Sequence, residues 1–567
     1  MKLALLLVPL LAISCGASPS ADDPRGDVAP VDDAADDVHG DDASALDAVF
    51  ADGGADASAI DAPAIDAPAV DAPLLDAPVI DGAIPDAPPL PSTMPCVAGS
   101  GKDYQVGPGA GQLASLDLVP WETLAAGDTV RIFSRPTPYK GKFMISAHGT
   151  ASAPVRICGV PGPSGERPII DGDGATSRTA LDYGHPLHQS RSVIVVKPPA
   201  SAPWTDFPTF VMIEGLEIRG AYPSHSFTDT AGAVHPYESF GACIWVERGH
   251  DITLRNNVIH DCTNGIFTKS TDDGDFAVSK NVLLEGNYLY DYGVVGDDHE
   301  HGSYVQSVGV TYQFNHYGPQ RAGGGGSALK DRSVGTVVRY NRIEECARSL
   351  DLVEAEDFPE TATKDPRYRE TFVYGNLITK SADNGTPIHY GGDHYGATPT
   401  DRWGEPIFRK GTLYFYGNTV VSAASAYAVY LFQLSTTEEH AKIFDNVFVY
   451  TGKTTYVALR AGTDVGPSWK AGGTIDLGVN WINAGWLPND PDHPVAGPVT
   501  GGSKMLTGAT PPIDLTTLRP LSSSAVIGVA EPLVDGAKGN PVSFEFSADL
   551  RGAVRAKQRD LGGLESK

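Results

Sequence analysis

Residues 252–261, ITLRNNVIHD, and residues 282–291, VLLEGNYLYD, carry the pattern that decides the fold. In each stretch apolar residues alternate with polar ones, an asparagine follows, and two more alternating positions come next. The pattern recurs in VTYQFNHYG (310–318), TVVRYNRIEE (336–345), TFVYGNLITK (371–380), LYFYGNTVVS (413–422) and AKIFDNVFVY (441–450), and an earlier copy, VMIEGLEIRG (211–220), has Leu216 in place of the asparagine. Strand-like alternation that returns every 26 to 42 residues is typical of a stacked solenoid.

Repeats of this length with an asparagine at a tight corner resemble those of the right-handed parallel β-helix, and the resemblance covers about residues 100–567. It implies an all-β solenoid in which stacked asparagine side chains bond one another. We expect each asparagine to adopt the left-handed conformation of the corner, because asparagine tolerates it. We also predict a short N-terminal capping helix in SLDLVPWETLAAGD (115–128), since a solenoid needs a polar-faced cap.

The N-terminal residues 1–15, MKLALLLVPLLAISC, have the order of a secretory signal: a positive residue, an apolar run and a small-residue site that ends in Cys15. The ending LLAISC is similar to a bacterial lipoprotein signal, in which the cysteine is lipidated and becomes the mature N-terminus. We therefore expect an exported protein that is anchored through Cys15 to the bacterial outer membrane or cell surface. An ordinary cleaved signal with a chance cysteine is the alternative.

Residues 16–95 differ in composition from the rest of the chain. Aspartate recurs every five residues in DAPAIDAPAVDAPLLDAPVIDGAIPDAP (61–88), and the segment has 18 aspartates against Arg25 as its only Lys or Arg. A tract so polar and proline-rich cannot bury a core, so we predict a disordered linker that carries most of the formal charge of −28. The β-helix domain is then expected over residues 96–567.

Five cysteines lie beyond the signal. In an exported protein this number predicts up to two disulfides and one free thiol. The pairs to test first are Cys243 with Cys262 and Cys96 with Cys158, which leaves Cys346.

A second strand follows the asparagine of each rung, as in NGIFTK (264–269), GSYVQS (302–307), SALKDR (327–332), SLDLVE (349–354), TPIHYG (386–391) and YAVYLF (427–432). Side chains alternate between the two faces of a strand, and neighbouring rungs lie about 4.8 Å apart. If the aliphatic residues point inward, their neighbours form an outward ladder of Lys269, Tyr304 or Gln306, Lys330, Asp351, His389 and Tyr430. Titratable groups stacked so closely shift one another's pKa, as a catalytic centre requires.

Insertions between rungs enlarge the same region, at residues 221–240, 288–303, 355–371 and 391–411. Their aromatic and histidine side chains, which include Tyr395 and Trp403, are suited to the walls of a sugar-binding groove. The stretch DDHEHG (297–302) adds His301, which we assign to substrate binding. Its His-x-His pattern lacks the third ligand of a metal site, and a solvated loop is the simpler interpretation.

The stretch SALKDRSVGTVVRYNRIEECARSLDLVE (327–354) resembles the lysine-to-arginine segment of the polysaccharide lyase family that contains chondroitinase B and alginate lyases. The resemblance implies a lysine base, matched by Lys330, and an assisting arginine, for which Arg348 is the nearest candidate. Removal of the proton beside a uronic acid carboxylate needs such a base and a cation that neutralises the carboxylate. We expect Arg332 to contact the substrate, and His389 or Tyr304 to aid proton transfer.

Two features depart from the pattern of that family. Asp351 stands where rung spacing places the arginine, and Gly323–Gly326 stand where the acidic calcium ligands belong. The sequence therefore assigns no cofactor and leaves calcium open. An ordinary surface lysine paired with Asp331 or Asp351 is the alternative to a catalytic Lys330.

Three functions follow from these patterns, the first two of them enzymatic. The leading one is a lyase that cleaves an acidic polysaccharide by β-elimination, with Gln306, Asp351 and Glu354 among its substrate contacts. The second is a glycoside hydrolase that uses Asp351 and Glu354 as paired carboxylates. The third is a non-catalytic carbohydrate-binding or adhesive surface protein.

The expected partners follow from the same reasoning. We expect a monomer that contacts a polysaccharide and meets a membrane only through its lipid anchor. No nucleic-acid partner is expected, and GGGGS (323–327) lacks the GK[ST] ending of a phosphate-binding loop.

Overall fold

The computed structural model describes residues 95–394, 405–461, 463–464, 470–493, 495, 497–556 and 559–567. The signal, the lipidation site at Cys15 and the aspartate-rich linker lie outside the described residues, and so do Tyr395 and Trp403. The predictions made for those parts of the chain stay predictions.

Within the described residues, the strands form three long sheets along one solenoid, a right-handed parallel β-helix. The first sheet has 13 strands: Asp103–Val106, Thr129–Phe133, Val155–Val160, Thr209–Glu214, His250–Arg255, Lys280–Glu285, Val308–Gln313, Val334–Arg339, Glu370–Tyr374, Thr412–Tyr416, His440–Phe444, Thr474–Leu477 and Val499–Thr500. The second has 14: Val234–Pro236, Ser226–Thr228, Ala175–Ser177, Gly141–Ile145, Ser192–Val196, Ala242–Val246, Asn264–Thr268, Ser303–Val305, Ser327–Asp331, Arg348–Leu352, Ile388–Tyr390, Ala428–Leu434, Tyr456–Arg460 and Leu487–Asn489. The third has 11: Ile169–Asp171, Glu217–Ala221, Val258–Cys262, Tyr288–Leu289, His316–Tyr317, Arg342–Glu344, Leu377–Lys380, Thr419–Ser422, Val447–Tyr450, Asn480–Asn483 and Met505–Gly508. The fold predicted from the repeat is confirmed.

Helices are few and short in the described part of the chain. The α-helices are Leu187–Ser190 and Pro359–Lys364, and the 3₁₀ helices are Leu116–Leu118, Trp121–Thr123, Asp275–Ala277, Pro366–Arg369, Glu405–Ile407, Gly502–Lys504 and Asp535–Ala537. Two antiparallel pairs complete the strands, Thr463–Asp464 with Lys470–Ala471 and Phe544–Glu545 with Ala553–Val554. Among the described residues, no helix has the length and apolar character needed to cross a membrane.

The predicted capping helix is replaced by two 3₁₀ turns with Pro120 between them. A proline has no N–H to donate and its ring clashes with the preceding turn, so one α-helix cannot run through this position. The segment still covers the first rung. The ring of Trp121 stacks on that of Phe143 at 3.8 Å between centroids, and Leu116 is buried beside them.

Aliphatic side chains fill the inside of the solenoid. On the second sheet, the inward row runs through Ile244, Ile266, Ser303, Leu329, Leu350 and Ile388, and all are buried. Ser303 is the one polar residue of this row. Each aliphatic side chain contributes about 1.5–3 kcal/mol on burial. The alternation that buries these residues turns the intervening ones to the outer face.

The asparagines form one continuous ladder, as predicted. The side-chain amide of each donates to the side-chain oxygen of the next at 2.9–3.1 Å, through Asn257, Asn287, Asn315, Asn341, Asn376, Asn418, Asn446 and Asn480. Every one of these side chains is buried.

The left-handed residue, however, is the one before the asparagine, so that part of the prediction is wrong. Asn256, Phe314, Tyr340 and Asp445 have φ between 53° and 59°, and Gly286, Gly375 and Gly417 hold the same place in other rungs. The asparagine itself is fixed by its side-chain bonds. The left-handed position before the asparagine makes no such side-chain bonds along the ladder, and several residue types occupy it.

The C-terminal residues 509–556 and 559–567 pack back onto the side of the solenoid. Phe544 joins a cluster with Phe314 and Tyr340, two of the bulky left-handed residues. The hydroxyl of Tyr340 donates to the carbonyl of Pro541 at 3.1 Å, and that of Tyr416 donates to the carbonyl of Asn540 at 2.5 Å. These contacts offset the cost of the left-handed aromatic residues.

Two disulfides are present among the described residues, Cys96–Cys158 and Cys243–Cys262. These are the two pairs that the sequence analysis selected. Cys346 is a buried free thiol, and burial raises its pKa to about 11. A thiol that resists ionisation is unsuited to act as a nucleophile.

Candidate functional site

The register of the second sheet places four of the predicted residues in one row. Tyr304 pairs with Lys330, Lys330 with Asp351, and Asp351 with His389 in successive strands. The alternating partners of these residues point into the core, so the row lies on the outer face. This part of the predicted ladder is confirmed.

The two ends of the ladder differ from the prediction. Phe267, not Lys269, pairs with Tyr304 at one end, and Gln433, not Tyr430, pairs with His389 at the other. The strand Ala428–Leu434 is long, and Phe432 rather than Val429 aligns with Ile388. The apolar pattern alone was therefore insufficient to predict how this strand aligns with the preceding one.

Lys330 is held between two carboxylates. Its Nζ lies 2.8 Å from Oδ2 of Asp393 and 3.7 Å from Oδ2 of Asp351, and 13% of its side chain is exposed. Burial lowers the pKa of Lys330, but the charges of Asp393, Asp351 and Glu356 together outweigh it, and the net shift is upward. Arg332 also lowers the pKa of Lys330, but its charge is outweighed by the same carboxylates.

Arg332 lies beside Lys330 and is 2% exposed. Its guanidinium contacts Asp393 at 3.0 Å, Glu354 at 3.2 Å and Glu356 at 3.1 Å, and its Nε donates to the hydroxyl of Tyr304 at 2.8 Å. Planar guanidinium groups suit such multiple charged hydrogen bonds. Arg332, rather than Arg348, is therefore the arginine at the centre of the site.

The other predicted arginine lies at the edge. Arg348 Nη1 is 4.0 Å from Oδ1 of Asp351 on the same strand, and its side chain is 27% exposed. Arg339 and Arg342, close in sequence to Lys330, lie on strands of the first and third sheets. Strand alternation and the turns between sheets thus scatter the basic residues of this stretch.

His394 bridges two glutamates. Its Nδ1 lies 2.6 Å from Oε1 of Glu354, and its Nε2 lies 3.1 Å from Oε2 of Glu356. Burial opposes a charge on the ring, but Glu356 and Asp393 outweigh it and raise the pKa of His394 to about 9. His394 is therefore a cation at neutral pH.

His389 is part of a buried chain of hydrogen bonds. Its Nδ1 lies 2.7 Å from Oδ1 of Asp351, and its Nε2 lies 3.0 Å from Oγ of Ser435. The Ser435 hydroxyl donates to the carbonyl of Gly392 at 2.6 Å and accepts from the N–H of Gly392 at 2.9 Å.

These distances match those of a Ser-His-Asp triad, but the hydroxyl group of Ser435 is not oriented for nucleophilic catalysis. The Ser435 hydroxyl donates to backbone carbonyl oxygens, since its Oγ lies 2.6 Å from that of Gly392 and 3.3 Å from that of Tyr390. Its proton is therefore not directed at His389, as activation of a serine nucleophile would require. The chain instead ties the Gly391–Asp393 segment to the ladder.

His301 faces the same cluster from the preceding rung. Its Nδ1 accepts the backbone N–H of Ser327 at 2.8 Å, so the ring proton is on Nε2, which is buried and has no hydrogen-bond partner among the described residues. Burial, and then the charge of Lys330, lower the pKa of His301 well below its usual value. The ring is therefore a neutral donor with an unused N–H.

Gln306 contacts the carboxylates of the neighbouring insertion. Its Nε2 lies 2.5 Å from Oδ2 of Asp357. Asp357 is exposed, so this contact lies at the rim of the site. The adjacent Glu356 contacts Arg332 instead, at 3.1 Å.

Two groups of side chains offer metal ligands in the described residues. The first is Asp297, Asp298 and His299, and the second is Glu354, Asp393 and His394. In the second group Arg332 and the His394 cation already neutralise the carboxylates.

The first group fits a calcium-type cation better, because such an ion prefers oxygen ligands. Asp297 and Asp298 supply two carboxylates. The buried Glu300 has an Oε2 without a hydrogen-bond partner, and burial, then these two charges, raise its pKa to about 8.

The glycine run packs against this acidic loop. A Cβ on Gly326 would lie 1.9 Å from the carbonyl oxygen of Glu300, and the N–H of Gly325 donates to the carbonyl of Asp297 at 2.8 Å. Glycine is required there by close backbone contact. The run Gly323–Gly326 thus brings residues 297–301 next to the strand that carries Lys330.

Sequence reasoning missed Asp393 and Ser435 as members of the site. Asp393 comes three residues after the ladder strand Ile388–Tyr390, in a stretch that was expected only to form a wall. Its position just beyond a ladder strand was the one available signal. No such signal was available for Ser435, because its place in the site depends on the register of the long strand Ala428–Leu434.

A separate cavity of about 300 Å³ lies near the first rungs. It is lined by residues that include His185, Gln189, Phe227, Asp229 and His235. No residue of the ladder lines it, so it is distinct from the charged cluster.

No protein-family model matches this sequence, and no curated protein does. Several solved structures, among them the three that follow, are similar at low scores. A pectate lyase, Pel9A, has a TM-score of 0.39 and 10% identity, with 82% of this chain and 97% of that chain covered. An alginate lyase from Paenibacillus sp. str. FPU-7 has a TM-score of 0.33 and 14% identity, with 69% and 94% covered. A lacto-N-biosidase of family GH136 from Eubacterium ramulus has a TM-score of 0.37 and 14% identity, with 72% and 68% covered. The activities named belong to those proteins.

Proposed function

We propose that this protein cleaves an acidic polysaccharide by β-elimination at the ladder of the second sheet. The observation that carries the proposal is the shared carboxylate of Asp393, which contacts Lys330 at 2.8 Å and Arg332 at 3.0 Å. A lysine and an arginine so placed suit the two tasks of the reaction. One removes the proton beside a uronate carboxylate, and the other neutralises that carboxylate.

The remaining groups fit the later step, in which the leaving oxygen needs a proton. His301 offers an unused Nε2–H, and the Tyr304 hydroxyl lies within reach of Arg332 and Glu356. Lys330 must be neutral to accept a proton, and its pKa is raised. The rate should therefore increase with pH through the alkaline range.

The test is a panel of polysaccharides, acidic and neutral, incubated with the purified protein. Cleavage by elimination gives an unsaturated sugar that absorbs in the ultraviolet, and Lys330→Ala should abolish it. Lys269→Ala is a matched control, since Lys269 is also mostly buried and pairs with a carboxylate, Glu247, at 3.4 Å. An unsaturated product made equally well by Lys330→Ala would exclude Lys330 as the base.

A second candidate, hydrolysis, is supported by the two buried carboxylates of the cluster that the sequence analysis named, Asp351 and Glu354. Glycoside hydrolases need one protonated and one ionised carboxyl group. New reducing ends without ultraviolet absorbance would favour this mechanism over elimination. Binding without turnover would leave a carbohydrate-binding surface protein.

Export and lipid anchoring through Cys15 are part of the proposal, on the strength of the signal sequence alone. Expression of the full chain in a bacterial host should place it in the membrane fraction. Cys15→Ser should release it, and mass spectrometry of the mature N-terminus would identify the lipid. A soluble wild-type protein would contradict the anchor.

A further inference from the structure

Asp393 engages the two central cations of the site with one carboxylate. Its Oδ2 lies 2.8 Å from Nζ of Lys330, and its Oδ1 lies 3.0 Å from Nη2 of Arg332. Both oxygens therefore accept charged hydrogen bonds, which is how a carboxylate ligand is held between a lysine and an arginine. Lys330 and Arg332 are thus already paired with a carboxylate of the protein itself.

The backbone around Asp393 is fixed by bonds to the ladder. The N–H of Asp393 donates to Oε2 of Glu354 at 3.0 Å, and the N–H of Gly392 donates to Oγ of Ser435 at 2.9 Å. Ser435 is in turn bonded to His389, a ladder residue. The position of the Asp393 carboxylate is therefore built into the site and is not a chance surface contact.

The charges in direct ionic contact balance only while Asp393 is in place. The carboxylates are Asp351, Glu354, Glu356 and Asp393, and the cations are Lys330, Arg332, Arg348 and His394. Loss of the Asp393 contact leaves an uncompensated positive charge in a mostly buried site, which is costly. Another carboxylate in the same place would restore the balance.

We infer that Asp393 occupies the position of the substrate carboxylate, so that an acidic sugar and Asp393 compete for Lys330 and Arg332. The inference rests on the proposed function and names its ligand class, an oligosaccharide of uronate units. A neutral sugar has no group that replaces Asp393. The internal carboxylate thus makes the site selective against neutral chains and lowers its affinity for acidic ones.

The test is calorimetric titration of the wild-type protein and Asp393→Asn with oligogalacturonate and oligomannuronate. Methyl-esterified oligogalacturonate is the neutral probe, because it differs only in the masked carboxylates. We expect Asp393→Asn to bind at least one of the acidic oligosaccharides about tenfold more tightly and the ester no more tightly than wild type does. Asp393→Ser, which also lacks the carboxylate, should behave in the same way.

Asp549→Asn is the charge-matched control, since Asp549 is exposed on the C-terminal segment. It should leave all affinities unchanged. Unchanged affinity of both Asp393 variants for the acidic probes overturns the inference, and so does an equal gain for the ester.

Failure of this inference can be told apart from failure of the proposed function. Tighter binding of uronates by Asp393→Asn without any unsaturated product would uphold the carboxylate position and reject elimination. Unsaturated product from the wild type, with no gain in affinity for the variants, would uphold elimination and reject the role of Asp393.

Discussion

His394 bridges the buried Glu354 and the partly buried Glu356, and its charge should make the stability of the fold depend on pH. The folded state raises its pKa from 6.5 to about 9. The stabilisation is fully present below pH 6.5 and is lost as the pH rises through about 9, when the folded protein releases the proton. The shift corresponds to about 3 kcal/mol as an upper limit.

The measurement is urea unfolding of wild type and His394→Gln from about pH 6 to about pH 10. Glutamine can donate to one glutamate but carries no charge. We expect the free energy of unfolding of the wild type to exceed that of the variant at the acid end, and the gap to close toward the alkaline end. A gap that is constant with pH would show that the charge of His394 contributes nothing.

The residue types at the ladder were predictable, but their protonation was not. Lys330, Asp351 and His389 were placed from alternation alone, because alternation depends only on neighbours along the chain. The pKa of Lys330 depends on Asp393, which is 63 residues away in sequence and enters through an insertion. A repeat pattern carries no information about how an insertion folds back.

At the level of elements, the asparagine ladder should be the most sensitive part of the solenoid. The Asn315 side chain accepts from Asn287 at 3.0 Å and donates to Asn341 at 3.0 Å and to the carbonyl of Leu284 at 2.8 Å. Asn315→Ala removes these bonds and leaves buried partners unsatisfied. We expect a loss of about 2–4 kcal/mol in the free energy of unfolding.

The control for this change is Asn384→Ala, because Asn384 is exposed in a turn. It should change the free energy of unfolding by less than about 0.5 kcal/mol. An equal loss of unfolding free energy from the two substitutions would show that a ladder asparagine stabilises the fold no more than an exposed one does. Thermal or urea unfolding followed by far-ultraviolet circular dichroism is sufficient for the comparison.

The rungs also show which elements a sequence can specify. Their period and their asparagines were recognisable because each repeat must bury the same inward side chains and bond to the next asparagine. The left-handed position could not be read in the same way, since it is occupied by glycine, asparagine, aspartate, phenylalanine or tyrosine. For Phe314 and Tyr340 the conformation is supported by the C-terminal segment, which is distant in sequence.

For the whole molecule, the contact between the solenoid and its C-terminal segment should weaken as the pH rises. Asp445 is a left-handed corner residue whose Oδ1 accepts the N–H of Glu531 at 2.8 Å, and whose carbonyl accepts the N–H of Gly562 at 2.8 Å. Burial, with the charge of Glu531 adding to it, raises the pKa of Asp445 to about 7 from 3.8. The folded state therefore holds a proton that the unfolded chain has already released.

The sign of the effect follows from this difference in pKa. Below pH 3.8 both states are protonated, and the group contributes nothing. Between 3.8 and about 7 it destabilises the folded state progressively, and above about 7 the penalty is constant. The full penalty is about 4 kcal/mol as an upper limit.

Asp445→Asn should remove this penalty without disturbing the corner, because asparagine tolerates the left-handed conformation and keeps an oxygen for Glu531. We expect the variant to melt at a higher temperature than wild type at about pH 8 and at nearly the same temperature at about pH 4. Asp549→Asn, an exposed aspartate of the same segment, should leave the melting temperature unchanged at both. A variant less stable than wild type at about pH 8 would mean that the Asp445 charge holds the C-terminal segment in place, rather than straining its attachment.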